Sequence, residues 1–143
     1  MTKPIQITII ATDFHKEVAD YMIKTAKRAI TKHQAQLMNV FRVPGSYEIP
    51  LITQSVITNK KPGAIVILSY IEKGCTMHGE VMGHVVHDAL IKLQLKHSIP
   101  MGLGIIGPGA TRKQAEERKK KSAQGAVRAA IKSWHSLQGI CSP

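Results

Sequence analysis

The sequence predicts an α/β protein, a three-layer α/β/α sandwich built on a four-stranded parallel sheet. Three observations carry this. Short β-branched or apolar runs alternate with longer segments whose apolar residues recur every three or four positions, in the order β-α-β-α-β-α-β-α. Such alternation implies parallel strands joined by right-handed helical crossovers. The run Ala64-Ile65-Val66-Ile67-Leu68 is apolar throughout, as a strand covered on both faces must be. Finally, 143 residues with 43% hydrophobic content suffice for one core, and no repeat, linker or low-complexity stretch divides them, so residues 1–143 read as a single domain.

Each element has its own reason. Ile5 to Ala11 alternates and is β-branched, which makes it a strand. Thr12-Asp13 offers an N-cap to a helix over Phe14 to Lys32, with Val18, Met22, Ala26, Ala29 and Ile30 on its core face. Leu37 to Val43 is the second strand, broken by Pro44-Gly45. Tyr47 to Thr58 is a helix with Ile49, Leu51, Ile52, Val56 and Ile57 on or near one side, and Lys60-Lys61-Pro62-Gly63 is a polar turn. Ala64 to Tyr70 is the third strand. Val81 to Lys96 is a helix with Val81, Val85, Ala89, Leu90, Leu93 and Leu95 mostly inward. After Ser98-Ile99-Pro100 turns the chain, Met101 to Ile106 is a fourth strand weakened by Gly102 and Gly104, and Gly107-Pro108-Gly109 is a loop. Thr111 to about Leu137 is helical, with a break expected near Gly125 and fraying from Gly139 to Pro143.

Composition excludes some functions. No apolar run reaches the roughly eighteen residues of a membrane span, and Met1 to Ile10 lacks the parts of a signal peptide. Cys75 and Cys141 are far apart in sequence and lack metal-ligand spacing, so the expectation is a cytoplasmic protein without disulfides. The net charge of +11 has three readings. A solvated helix face comes first, because much of the charge lies in Arg112 to Lys121. An electrostatic funnel for phosphorylated substrates comes second. Nucleic-acid binding comes third, since 4% aromatics leave little to stack bases on.

In a parallel α/β sheet, ligands bind outside the carboxyl ends of the strands. The segments that follow the four strands, Thr12-Asp13-Phe14, Pro44 to Glu48, Tyr70 to His78 and Gly107-Pro108-Gly109, therefore gather on one edge. Among them, Gly74-Cys75-Thr76-Met77-His78 stands between a strand and a helix. Free N–H groups and the positive dipole end at a helix start suit an anion such as phosphate, and an imidazole ordinarily titrates near neutrality. On this stretch alone a cap with a structural histidine is the commoner outcome.

Three stretches carry a resemblance. Val43-Pro44-Gly45-Ser46-Tyr47-Glu48-Ile49-Pro50 resembles a signature of the lumazine synthases, Gly74 to His78 resembles their Gly-x-Thr-x-His segment, and Gln114-Ala115-Glu116-Glu117-Arg118 resembles their Gln-Ala-x-Glu-Arg helix. Phe14 falls where that family has an aromatic residue, and the resemblance covers nearly the whole chain. It implies a flavodoxin-like α/β/α sandwich and the penultimate step of riboflavin biosynthesis. There, 5-amino-6-(D-ribitylamino)uracil condenses with 3,4-dihydroxy-2-butanone 4-phosphate, and orthophosphate and water leave with no metal or redox cofactor. The steps are imine formation, β-elimination of phosphate and ring closure. The expected partners are these two small molecules and further copies of the chain, with neither nucleic acid nor membrane involved.

The resemblance also implies roles, each beside a plainer alternative. His78 would be the general acid/base, or a helix-start histidine bonded to backbone. Arg118 would clamp phosphate with its planar fork, or be a solvated member of the run with Lys119, Lys120 and Lys121. Cys75 and Thr76 would offer N–H and hydroxyl groups to the same phosphate, with Cys75 a small turn residue and not a nucleophile. Phe14 would stack on the pyrimidine, or anchor the first helix. Glu48 would bond the ribityl chain, or complement a helix dipole. Ser46 and Tyr47 would contribute mainly backbone contacts, and Tyr70, Ile71 and Glu72 would meet the uracil edge through main chain. Leu103 and Arg118 would come from a neighbouring subunit.

Several positions depart from the family pattern. Glu72 replaces a usually apolar residue, Leu103 a frequent aromatic, and Gly79-Glu80-Val81 follows His78 where aromatic and acidic residues are usual. The Gly107-Pro108-Gly109 loop is longer than usual, and Lys119 to Gln124 replaces a Gly- and Asn-containing kink of shell-forming members. The short arm Met1 to Pro4 joins that last feature in favouring a pentamer. The departures at Glu72 and Leu103 keep open a relative that binds lumazine or flavin without turnover. His84, His87 and Asp88 share a helix face but lack a third strong ligand, so exposure or subunit packing is preferred to a metal site. His15 and Lys16 serve either the mouth of the site or the cap.

Overall fold

A computed structural model describes residues 3–143. The elements are β1 (Gln6–Thr12), α1 (Lys16–Lys32), β2 (Gln36–Val43), a single 3-10 turn (Ser46–Glu48), α2 (Ile49–Lys60), β3 (Ala64–Glu72), α3 (His78–His97), β4 (Met101–Ala110) and α4 (Arg112–Cys141). All strand pairs are parallel, in the order β2-β1-β3-β4. The three-layer sandwich expected from the alternation is the fold observed.

The period of two along each strand divides the core. Ile7, Ile9 and Ala11 of β1 and Val66, Leu68 and Tyr70 of β3 face α1 and α4, packing on Val18, Met22, Ala26, Ala123, Ala126, Val127 and Ala130. Ile10, Ile65 and Ile67 face the other way, against Ile49, Val56 and Ile57 of α2 and Val86 and Leu90 of α3. The α4 backbone lies so close to β4 that a Cβ on Gly102 would stand 1.8 Å from the Ala126 carbonyl oxygen.

Four expectations change. Gly107-Pro108-Gly109 is not a loop: β4 runs on to Ala110, with Gly107 and Gly109 both at φ 88°. A Cβ on Gly107 would lie 2.2 Å from the Ile71 carbonyl oxygen, so this glycine serves a close backbone approach. Pro108 is tolerated because β4 is the sheet edge on its far side. Second, α4 does not break at Gly125 and continues through Gly139; its buried alanine face against the sheet outweighs the roughly 1 kcal/mol a helical glycine costs. Third, Thr12 and Asp13 do not cap α1. Thr12 is buried against Ser69, and Asp13 pairs with Arg42 at 2.7 Å. Fourth, Val81, Val85 and Leu95 of α3, and Leu51 of α2, point outward, and each is more than half exposed.

Candidate active site

In the strand order the chain reverses direction across the sheet between β1 and β3, the place where open parallel sheets leave a crevice. A cavity of about 400 Å³ lies there. Phe14 enters it from the end of β1, Ser46 from the turn after β2, Tyr70, Ile71 and Glu72 from the end of β3, and Thr76 and His78 from the start of α3. Seven of the twelve residues expected at the site thus line one cavity. Pro44, Gly45, Lys73, Gly74, Gly79 and Met82 complete its lining; of these only Gly74 was expected to let the backbone approach a ligand, although Lys73, a lone cation between strand and glycine turn, carries a signal of its own.

The segments are held by backbone and buried hydroxyls. The Asp13 and Phe14 N–H groups donate to the Val43 and Pro44 carbonyls at 2.7 and 3.2 Å, tying the ends of β1 and β2 together. Beneath the cavity, the Ser46 and Ser69 hydroxyls are 2.6 Å apart, and the Thr12 hydroxyl donates to Ser69 at 3.5 Å. All three residues are buried. Ser46 therefore spends its side chain on the scaffold, which leaves its backbone for a ligand. The Tyr70 hydroxyl donates to the Ala110 carbonyl at 3.0 Å, and the Lys73 N–H donates to the same oxygen at 2.9 Å, closing β3 on β4. Burial pushes the Tyr70 phenol up, the Glu72 carboxylate adds to that, and Arg112 opposes it.

His78 is the first residue of α3 and is exposed. Its N–H donates to the Thr76 hydroxyl at 3.3 Å, which ties the turn ahead of α3 while the Thr76 O–H stays free to donate. The Tyr47 ring meets the His78 imidazole edge-on at 5.8 Å. Phe14 is 57% exposed, which excludes the core-anchor alternative and leaves its ring available for stacking. Glu48 accepts from the Gly45 N–H at 2.9 Å, so one carboxylate oxygen stiffens the turn below the cavity.

The other expected residues lie apart. Cys75 is exposed in a neighbouring recess with Lys73, Gly74 and Glu80. Leu103 sits half-buried in mid-β4, on the face toward α2 and α3. Arg118 lines a separate cleft of about 670 Å³ beside the end of β4, with Gly107, Pro108, Gln114 and Lys121. Neither Leu103 nor Arg118 lines the cavity of His78. The side chains of His87 and Asp88 in the α3 cluster have local partners. The His87 Nδ1 is 2.7 Å from the Gly83 carbonyl, Asp88 pairs with Lys92 at 2.8 Å, and among the described residues no group of three or more His, Cys, Asp or Glu could hold an ion. Cys75 and Cys141 are both free. Among the described residues no helix is long and apolar enough to cross a membrane.

The family model for 6,7-dimethyl-8-ribityllumazine synthase matches residues 4–138. The chain belongs to that family. It is 33% identical over 128 residues to the 6,7-dimethyl-8-ribityllumazine synthase of Pyrobaculum arsenaticum, covering 90% of this chain and 85% of the relative. The enzyme of the same name from Metallosphaera sedula is 34% identical over 136 residues, 95% of this chain and 90% of the relative. That from Staphylothermus marinus is 35% identical over 127 residues, 89% and 85%. The chain is thus an enzyme, a transferase of riboflavin biosynthesis with the family's lumazine-forming activity.

Proposed function

We propose that the cavity at the β1–β3 switch is the pyrimidine end of the active site. There the chain condenses 5-amino-6-(D-ribitylamino)uracil with 3,4-dihydroxy-2-butanone 4-phosphate into 6,7-dimethyl-8-ribityllumazine. The observation that carries this reading is the convergence on one cavity of three stretches remote in sequence, Phe14, Ser46 and the segment from Tyr70 to His78. The exposed Phe14 ring stacks on the pyrimidine. Main-chain groups of Tyr70, Ile71 and Glu72 meet its edge, and the turn Ser46-Tyr47-Glu48 receives the ribityl chain. His78 moves protons as the imine forms, as phosphate is eliminated and as the ring closes, since an imidazole can both give and accept a proton. Thr76 and the backbone at Cys75 take the phosphate at the start of α3, where the helix dipole favours an anion.

Arg118 and Leu103 reach this cavity from a neighbouring copy. The support is their distance from it within one protomer, together with an exposed apolar surface. On α3, Val81, Val85 and Leu95 are 53%, 54% and 73% exposed, and Leu51 of α2 is 71% exposed, more apolar surface than a helix face in water needs. A pentamer is the assembly we favour; the unkinked α4 agrees with it. Of the arm at Met1 to Pro4, Met1 and Thr2 lie outside the described residues. The same reading sets the protein in the cytoplasm, where the exposed thiols of Cys75 and Cys141 stay reduced.

The test follows lumazine absorbance and phosphate release together. Equal amounts of both products, with His78→Ala slowing turnover and Arg118→Ala raising the KM of the butanone phosphate, are expected. A wild type that binds lumazine but makes none would replace the enzyme reading with that of a binding relative.

A further inference from the structure

His15 sits at the N-terminus of α1 in the left-handed region, at φ 55° and ψ 60°, and its side chain makes no capping bond. That conformation is uncommon for a residue bearing a Cβ, and the imidazole is not spent on the helix end. It is used elsewhere. The ring is wedged between Phe14, at 4.3 Å and edge-on, and Tyr70, at 4.6 Å. Its Nε2 lies 2.8 Å from Glu72 Oε2, at ion-pair distance though off the line of a hydrogen bond. The His15 side chain is only 15% exposed, whereas that of Glu72 is 41% exposed and lines the cavity. The sheet's two central strands are thus joined across the crevice by one histidine that touches an aromatic wall, an aromatic floor and a carboxylate.

We propose that His15 is a positioning residue of this active site: seated between Phe14 and Tyr70, it holds the Glu72 carboxylate toward the cavity, where that group accepts a hydrogen bond from the N–H edge of the pyrimidine substrate. An ionised carboxylate is acceptor-only with about four lone-pair sites, so contact with His15 leaves capacity for a ligand donor. The inference rests on the site assignment above and adds a side-chain contact where main chain alone was expected. It also gives Glu72 a use: a carboxylate at the rim of an apolar cavity would otherwise swing into water, and the partner across the crevice keeps it in place.

The test is steady-state kinetics on the full-length protein, varying each substrate in turn. The variants are His15→Ala, His15→Phe, His15→Gln and Glu72→Gln, with the double variant His15→Ala/Glu72→Gln. His15→Ala should raise the KM of ribitylaminouracil by roughly tenfold, the scale of one lost charge-assisted contact. The KM of the butanone phosphate should stay within about twofold, and kcat should change less than the pyrimidine KM. His15→Gln, which keeps a donor, should recover part of the loss, and His15→Phe, which keeps only the ring, should not. Because the two groups act as a unit, the double variant should be no worse than the worse single one. His15→Phe and Glu72→Gln keep the experiment decisive if His15→Ala does not fold. An unmoved pyrimidine KM, equal rises in both KM values, or additive losses would overturn the proposal while wild-type turnover leaves the site assignment standing. A wild type that forms no lumazine would overturn both.

Discussion

The buried hydroxyl chain beneath the cavity makes a sharp prediction about Ser69. Its hydroxyl is the partner of Ser46 at 2.6 Å and accepts from Thr12 at 3.5 Å, and the three residues are 2%, 4% and 1% exposed. Ser69→Ala removes one oxygen and leaves the Ser46 hydroxyl without a partner in a dry place. A buried polar group so stranded costs about 1–3 kcal/mol. Thr12, already at the limit of hydrogen-bond length, adds little. The expected loss is about 2 kcal/mol, or roughly 4–8 °C in Tm for a chain of this size. Ser46→Ala should cost less, about 1 kcal/mol, because Ser69 keeps the Thr12 donor. The double variant Ser46→Ala/Ser69→Ala removes both ends of the bond and should cost no more than Ser69→Ala alone. The assay is urea or thermal unfolding at one fixed protein concentration, which holds any contribution from association constant. Additive losses, or a Ser69→Ala cost below about 0.5 kcal/mol, would refute the argument that this bond holds the Ser46 turn against β3.

Further expectations concern packing and charge. Gly102→Ala puts a Cβ 1.8 Å from the Ala126 carbonyl oxygen, and backbone cannot yield as a side-chain tip does; a loss of about 3 kcal/mol should appear in the unfolding midpoint. His78→Ala should abolish most turnover with Tm nearly unchanged, because the exposed imidazole bonds no other group and the His78 bond to Thr76 uses backbone. Acid should weaken the fold in a defined window. The Lys16 ammonium and then the Arg42 guanidinium hold the Asp20 carboxyl below its ordinary 3.8, and Lys119 followed by Arg112 holds Glu116 below 4.5. Folded values below the unfolded ones mean that the unfolded chain binds more protons there. The contribution is intact above the unfolded values and is lost as pH falls through the folded ones. Tm should therefore drop between about pH 5 and 3, and Arg42→Ala, which breaks the link from β2 to Asp13 and Asp20, should flatten that drop.

Much of this molecule was legible because the local signals agree. The uniformly apolar Ala64 to Leu68 could only be a central strand, and the alternating elements fixed a parallel sheet and hence the edge on which a site belongs. What could not be read were the consequences of closeness between distant residues. Gly107-Pro108-Gly109 has the chemistry of a turn, yet it continues β4 because Gly107 lies against Ile71. Val81 and Val85 have the spacing of a core face, yet they point outward beside the buried Gly83 and Val86; periodicity locates a stripe without saying what covers it. At the site, topology brought the strand-end residues Phe14, Tyr70, Ile71 and Glu72 to one edge of the sheet, where they line one cavity. The contact of His15 with Glu72 spans the crevice between two strands, and no local pattern encodes it. Arg118 shows the other limit, since the fold puts it in a different cleft from His78.

That separation supplies the most direct measurement. Subunits carrying His78→Ala and subunits carrying Arg118→Ala are dissociated, mixed in equal amounts, reassembled and assayed at a butanone phosphate concentration low enough that neither variant alone turns over appreciably. If each site takes His78 from one copy and Arg118 from its neighbour, random assembly leaves about one site in four intact, and about a quarter of wild-type lumazine formation should return. If Arg118 serves the cavity of its own chain, every site lacks one residue. No recovery in mixed assemblies would contradict the shared site.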